Sequence, residues 1–322
     1  MPKISIITTT YKHEKFVRDT IESVLAQTFT DWELLIGDDS PNDATWDIIQ
    51  EYVQKDSRIK AWHHAPNKGI VGNMNSLVAQ ISPDSGYITF LEGDDRFTPE
   101  NLEEKIKIFE RFPKVQLVYS DLDFIDGSGK IILKSFFNYR HIPFFQNAII
   151  PKDTFILLPA GPIASWSTSM VRRQMIEEFP IKTLWEDIRY SASDYDWYFE
   201  ITTRYPVYGI RKSLTQYRRH SNNLSGANGG TSFDLERLID IYYEKRYFSK
   251  TVYQKKKSWL AITFAIFALE HGEKGNAFKY WKNSITSSLF YGMIYKIGIF
   301  GFLLIPSYLG TKIIKSLIRR GE

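Results

Sequence analysis

The sequence has 322 residues, 43% of them apolar and 24% charged, an ordinary globular balance that supports a sizeable core. Cysteine is absent, which excludes disulfides, thiolate metal sites and a cysteine nucleophile. The net charge of +4 hides an asymmetry: residues 1–234 carry 26 Lys/Arg against 31 Asp/Glu, and residues 235–322 carry 15 against 6. An acidic front suits a metal site, and a basic, apolar tail suits an anionic membrane surface better than nucleic acid.

In chain order, Met1-Pro2-Lys3 leads straight into an apolar stretch too short for the h-region of a signal peptide, so a cytoplasmic location is expected. Residues 4–9 read as a buried strand, and 16–27 as a helix with Phe16, Val17, Ile21, Val24 and Leu25 at helical spacing. Residues 32–37 form a short apolar run that ends at Asp38-Asp39, with Ser40, Pro41 and Asn42 marking a turn. The spacing then predicts a helix over 44–55, a strand over 59–63, a helix over 70–81 and a strand over 87–91 that stops at Glu92-Gly93-Asp94-Asp95. Pro99 opens a helix over 101–112, and 115–120 is a further strand.

This alternation implies βαβ units and an α/β fold with a mostly parallel sheet flanked by helices. Ligands of such sheets bind outside the carboxyl ends of the strands. Three polar clusters fall at those predicted ends: Thr8-Thr9-Thr10-Tyr11, Asp38-Asp39 and Glu92-Gly93-Asp94-Asp95. Neither a dinucleotide fingerprint nor a P-loop is present. Phosphate charge would then fall to a divalent cation held by carboxylates, Mn2+ or Mg2+.

The stretches Ile4-Ser5-Ile6-Ile7-Thr8-Thr9-Thr10-Tyr11, Ser23-Val24-Leu25-Ala26-Gln27-Thr28, Trp32 through Ser40, Asn67-Lys68-Gly69 with Asn73, and Tyr87 through Asp95 resemble the family 2 glycosyltransferases of the GT-A fold, in family order and over about residues 3–225. The resemblance implies an inverting, metal-dependent transfer of sugar from a nucleotide-sugar donor, most often a UDP-sugar. Thr9, Tyr11 and Asp39 would hold the nucleotide, Tyr11 by stacking on a base and Asp39 by accepting from its ring N–H. Asn67 and Asn73 either line the diphosphate or serve a turn. Glu92-Gly93-Asp94 takes the place of the family's D-x-D motif, with Asp94 expected on the metal beside the diphosphate and Glu92, standing where the first Asp usually is, reaching either the ribose or a metal-bound water. Asp95 would hold the loop or cap the next helix.

Ser193-Asp194-Tyr195-Asp196-Trp197-Tyr198-Phe199-Glu200 resembles the family helix that carries the catalytic base, with Ser193 in place of a Glu and Asp194 as the base. Glu186-Asp187 is the rival. An inverting transfer needs one carboxylate to take the acceptor proton. At a helix start that charge is favoured by the helix dipole, so burial would have to raise the pKa. Tyr217 to Ser225 resembles a late motif in which His220 would bind the metal or the diphosphate and Arg218 the leaving phosphate. The Gly-rich residues 226–232 suggest a loop that closes over donor. Residues 136–166 lie where the family varies its acceptor site, and Trp166-Ser167-Thr168-Ser169 offers either a stacking surface for a sugar ring or buried core. The alternative reading is a catalytically degenerate nucleotide- or glycan-binding protein of the same fold. A nucleotidyltransferase is a further rival, but its Gly- and Arg-rich N-terminal loop is missing.

These assignments divide the chain into a catalytic domain at 1–232 and a helical C-terminal region at 233–322. Residues 235–287 have a helical pattern, with Gly272 and Gly275 expected to break it into a hairpin. Residues 289–310 carry Lys296 as their sole charge, and the uncharged run 297–311 has 15 residues, short of the ~20 that a span needs. Residues 289–322 therefore read as an interfacial anchor at the inner face of the cell membrane, fitting a glycan or lipid-linked acceptor of surface polysaccharide assembly.

Overall fold

The computed structural model describes residues 3–136, 147–150, 165–182, 193–220, 223, 230–270, 272–288, 293, 296, 297, 299 and 300. Its contacts divide the chain into two compact units, Met1–Lys152 with Pro162–Asn223, and Asp153–Gly161 with Leu224–Glu322.

The first unit is built on one sheet. Strands β1 (Ile4–Thr10), β2 (Trp32–Asp38), β3 (Ile59–His63) and β4 (Tyr87–Phe90) alternate with helices α1 (Val17–Leu25), α2 (Ala44–Val53) and α3 (Gly69–Val78). β1 lies between β2 and β4 and is parallel to both, and β3 pairs parallel with β2. β2 is buried on both faces along its whole length, as expected for the apolar Leu34–Ile36 of a covered parallel strand, and the buried Glu33 accepts from Ser5 and pairs with Lys60. The amphipathic α1 turns Val17, Ile21 and Val24 inward, and these pack against Ile4, Ile6, Leu34 and Ile36.

The next elements are β5 (Arg96–Phe97), α4 (Asn101–Arg111), β6 (Leu117–Ile125), β7 (Ile131–Leu133), β8 (Ala148–Ile150), β9 (Ser169–Arg172), α5 (Gln174–Glu178), α6 (Ser193–Thr202) and β10 (Val207–Arg218). The strand order is β3-β2-β1-β4-β9-β6-β10-β5. β9 runs antiparallel to β4 and β6, while β10 lies parallel to β6 with a register break between Ile210 and Thr215. This mixed, mostly parallel sheet flanked by helices is the expected GT-A-like class.

The second unit contains α7 (Gly230–Glu244), α8 (Lys250–Glu270) and α9 (Lys274–Ser287). The break between α8 and α9 falls at Gly272, which has φ +78°. Gly275, expected to break the helix, instead lies inside the first turn of α9: one glycine in the left-handed conformation suffices for the turn, and a second is tolerated in a helix. Ile262, Ala265, Ala268, Leu269, Ala277 and Ile299 form its core. No helix among the described residues is long and apolar enough to cross a membrane.

Candidate active site

Because β1, β2 and β4 are parallel, their carboxyl ends share one rim. Thr10 stands opposite Asp38 in register, and β4 stops just before Glu92. Backbone bonds then fasten the loops: the Asp39 N–H donates to the Thr10 carbonyl (2.9 Å) and the Gly93 N–H to the Thr9 carbonyl (3.1 Å). The three polar clusters thus meet in space.

Close approach at this rim demands glycine. A Cβ on Gly93 would lie 2.4 Å from Thr10 Cγ2, 2.8 Å from His13 Nδ1 and 3.0 Å from the Thr9 carbonyl oxygen. The last contact is with backbone of the central strand, which has little freedom to yield. Gly93→Ala is expected to cost about 1–3 kcal/mol, as overpacking does, and to weaken donor binding with it. Urea unfolding monitored by circular dichroism checks this, and an unchanged midpoint would show that the loop has room to spare.

At the first cluster, Tyr11 projects from the end of β1 with 46% of its surface exposed, free to stack. Asp38 and Asp39 are both buried. Asp38 Oδ1 accepts from the Thr10 hydroxyl (2.8 Å) and the Ser40 hydroxyl (2.6 Å), so it is part of the scaffold. Asp39 Oδ1 is buried without a hydrogen-bond partner among the described residues. Burial raises the Asp39 pKa, against the backbone N–H groups of Lys68 and Gly69. A buried acceptor left open in this way suits a ligand N–H.

Asn67 is exposed, and its Oδ1 accepts from the Gly69 N–H (2.6 Å) while its Nδ2 reaches the Asp39 carbonyl (3.3 Å). It braces the Asn-Lys-Gly turn. Asn73 departs from the expected diphosphate contact. It is 1% exposed, donates to the Gly37 carbonyl (2.8 Å), and fills the space a Gly37 side chain would need, 1.8 Å from that missing Cβ. It is a strut between α3 and β2.

At the third cluster, Asp94 Oδ2 lies 2.9 Å from His220 Nε2 and 4.0 Å from His13 Nε2. Burial works to raise the Asp94 pKa, but the His220 hydrogen bond and the nearby imidazoles outweigh it and hold the carboxyl below its ordinary range. His13 was not singled out by the sequence; the available signal was an imidazole two residues beyond Tyr11 at a strand end. Glu92 is half-buried and accepts from the Ser165 hydroxyl (2.8 Å). Burial, then the charges of Asp94 and Asp194, push its carboxyl up to about 8. Asp95 holds the loop: its carboxylate accepts from the Arg218 N–H (2.9 Å) and the Ser167 hydroxyl (2.7 Å).

Arg218 corrects the sequence reading. Its side chain is fully buried. Nε donates to the Asp94 carbonyl (2.7 Å), Nη1 to the Asp126 carbonyl (3.2 Å), and Nη2 pairs with Asp19 (2.9 Å). The guanidinium also lies over the Phe16 ring, whose other neighbour is the stacked ring of His220. Committed to these groups, it locks the Asp94 loop and has no free edge for a leaving phosphate.

Asp194 lies in the first turn of α6. Burial pushes its carboxyl up to about 7, opposed by backbone N–H groups including that of Tyr195 (2.8 Å from Oδ1). Its rival pair Glu186-Asp187, and most of the Gly-rich loop, lie outside the described residues. Trp166 is buried against Phe90 and Trp197, so it belongs to the core rather than to a sugar-stacking surface.

The arrangement therefore offers an open acceptor at Asp39, an acidic–imidazole pair at Asp94 and His220, and a carboxyl at Asp194 that titrates near neutrality. Among the described residues no group of three or more His, Cys, Asp or Glu side chains surrounds one metal position. Asp94 Oδ2 and His220 Nε2 are hydrogen-bonded to each other, and carboxylate plus imidazole is a donor set that suits Mn2+.

Known proteins place this site in context. The profile described as Glycosyl transferase family 2 matches residues 5–179. An uncharacterized glycosyltransferase of Methanocaldococcus jannaschii is 28% identical over 277 residues, covering 83% of this chain and 88% of that protein. The Escherichia coli UDP-Glc:alpha-D-GlcNAc-diphosphoundecaprenol beta-1,3-glucosyltransferase WfgD is 30% identical over 142 residues, 43% of this chain and 54% of its own. Among solved structures, S. aureus TarS 1–349 in complex with UDP-GlcNAc superposes with a TM-score of 0.62 at 14% identity, covering 99% of this chain and 92% of that one, a likeness of fold.

Proposed function

Since this chain belongs to glycosyl transferase family 2, we propose that it transfers a sugar, with inversion, from a nucleoside-diphosphate donor to a hydroxyl of a glycan or lipid-linked acceptor in surface polysaccharide assembly. The donor proposed is a UDP-sugar, and the setting is the cytoplasmic face of the cell membrane with peripheral contact through the C-terminal unit. The observation that supports this reading is the meeting of the three polar clusters at one rim, where the Asp39 N–H donates to the Thr10 carbonyl, the Gly93 N–H donates to the Thr9 carbonyl and Asp94 Oδ2 lies 2.9 Å from His220 Nε2. The activity that WfgD is named for, glucosyl transfer from UDP-Glc to alpha-D-GlcNAc-diphosphoundecaprenol, supports the donor and acceptor classes.

In this reading Asp39 Oδ1 accepts from the base and Tyr11 stacks on it, with Thr9 at the adjacent strand end. Asp94 and His220 would hold the divalent cation, which supplies neutralising charge for the diphosphate as it leaves. Asp194 takes the proton from the acceptor hydroxyl while that oxygen forms the new bond to the anomeric carbon and the bond to the diphosphate oxygen breaks. A single displacement of this kind inverts the anomeric centre and calls for one carboxylate.

Thermal shift against UDP-, GDP-, dTDP- and CMP-sugars, with and without Mn2+, tests it. A UDP-sugar at ~100 times its Kd adds roughly 2.7 kcal/mol of stability. The expected shift appears with UDP-sugars, grows with Mn2+, and loses its metal-dependent part in Asp94→Ala. No shift with any donor class would favour a degenerate binder, and an Asp94→Ala protein that kept the Mn2+ effect would place the metal elsewhere.

A further inference from the structure

The second unit carries an apolar surface with cations around it. On α9 the Phe278 ring is 49% exposed and stacks on Trp281 at 5.7 Å, and Trp281 in turn stacks on Phe300 at 5.0 Å. Phe300 (42% exposed) shares its helical stretch with Ile297 (65%) and Met293 (48%). Their spacing of three and four residues sets these three on one stripe. Phe278, Met293, Ile297 and Phe300 are exposed, and Trp281, partly buried on the core of the unit with its indole N–H on the Lys296 carbonyl (2.9 Å), links Phe278 to Phe300.

The single charge of this stretch does not interrupt it. Lys296 is 4% exposed, points inward, and donates to the Ser288 carbonyl; Ile299 beside it belongs to the core of the unit. The exposed cations stand instead on α9, where Lys279 and Lys282 lie next to Phe278 and Trp281 and are open to solvent.

From Lys274 to Gly321 the sequence has eight Lys or Arg and no Asp or Glu. Charge complementarity therefore favours an anionic surface, the exposed Glu273 at the start of α9 being the nearest acidic residue in sequence. An anionic lipid surface takes Lys at the headgroups and aromatic rings just below them.

We propose that Phe278, Trp281, Met293, Ile297 and Phe300 form the insertion face of a peripheral membrane contact, with Lys279 and Lys282 on anionic lipid headgroups. This locates the membrane contact of the proposed function, and rests on it, on α9 and the following helical stretch, where the sequence pointed to residues 289–322 alone. The face lies wholly in the second unit, so its role is separable from donor binding.

Sedimentation of the full chain with sucrose-loaded vesicles decides the matter. Vesicles of phosphatidylcholine with one quarter phosphatidylglycerol are expected to bind the protein, and pure phosphatidylcholine to bind it far less. Lys279→Gln and Lys282→Gln should each weaken the anionic binding about fivefold. Phe278→Asp with Ile297→Asp should weaken it more than about tenfold, with circular dichroism and the donor thermal shift unchanged because these side chains are exposed. Trp281 emission should shift to the blue on vesicles. Wild-type protein that stays in solution with both lipids overturns the proposal, as does an aspartate variant that binds like wild type. So does a wild-type dimer that Phe278→Asp converts to monomer, which would make the face an interface between copies. If vesicle binding fails while the donor shift persists, the membrane contact alone is lost; a missing donor shift with intact vesicle binding sinks the sugar-transfer reading instead.

Discussion

Asp194→Asn is expected to lower kcat about 10²- to 10⁴-fold, the usual worth of a positioned base, while donor affinity stays near wild type. The amide keeps the size of the carboxyl and cannot take the acceptor proton. The same group sets the pH profile. Burial pushes Asp194 up to about 7, and a base works only when deprotonated. The rate should therefore fall tenfold per pH unit below about 7, rise through neutrality, and level off above about 8. The stability effect has the opposite sign. A carboxyl whose folded pKa exceeds its unfolded value favours the folded state at low pH, and that advantage is lost as pH rises from the unfolded value through 7. Asp194→Asn should thus be at least as stable as wild type at pH 8. Steady-state assays across pH 5–9 with a melting curve at each point check both. A variant with near-wild-type kcat, or a wild-type rate that is flat from pH 6 to 8, would assign the base to another carboxylate.

The second large effect is on stability. Arg218→Met removes a buried guanidinium from the Asp94 and Asp126 carbonyls and from Asp19. Breaking a buried charged network from one side costs about 3–5 kcal/mol. Asp19 is half solvated, with 46% of its side chain exposed, which places the expectation at the low end, about 3 kcal/mol. Lysine does not rescue it, because one ammonium cannot reach three directions at once. The freed Asp94 loop should also lose Mn2+-dependent donor binding. Urea denaturation of wild type, Arg218→Met and Arg218→Lys measures the cost. A loss under 1 kcal/mol together with weakened donor affinity would return Arg218 to the phosphate-binding role that its motif suggested.

The strands and helices of residues 4–111, apart from the two-residue β5, were legible because each stretch announces itself locally. An apolar run covered on both faces reads as β1 or β2, and a period of Val17, Ile21 and Val24 reads as α1. β9 and β10 were not legible. Val207–Arg218 has Arg211, Lys212 and Ser213 in the middle, where the register with β6 breaks, so neither alternation nor a continuous run survives. Gly275 misled because a glycine in a helical pattern reads the same whether it ends a helix or begins one.

The site divides along the same line. The alternation of strand and helix in the sequence by itself put Thr9, Asp39 and Asp94 at or just past the carboxyl ends of strands in a mostly parallel sheet. Only the tertiary structure decided which polar groups stay open there. The Asn73 amide N–H is committed to Gly37, Arg218 to the loop that carries Asp94, and Lys296 to Ser288, whereas Asp39 Oδ1 has no hydrogen-bond partner among the described residues and His13 is brought to Asp94. Arg218 and Asp94 are 124 residues apart in the chain, and no local pattern encodes such a contact. Whether a buried polar atom has a partner is fixed by packing between distant segments, and that packing separates the groups available to a ligand from those that hold the scaffold.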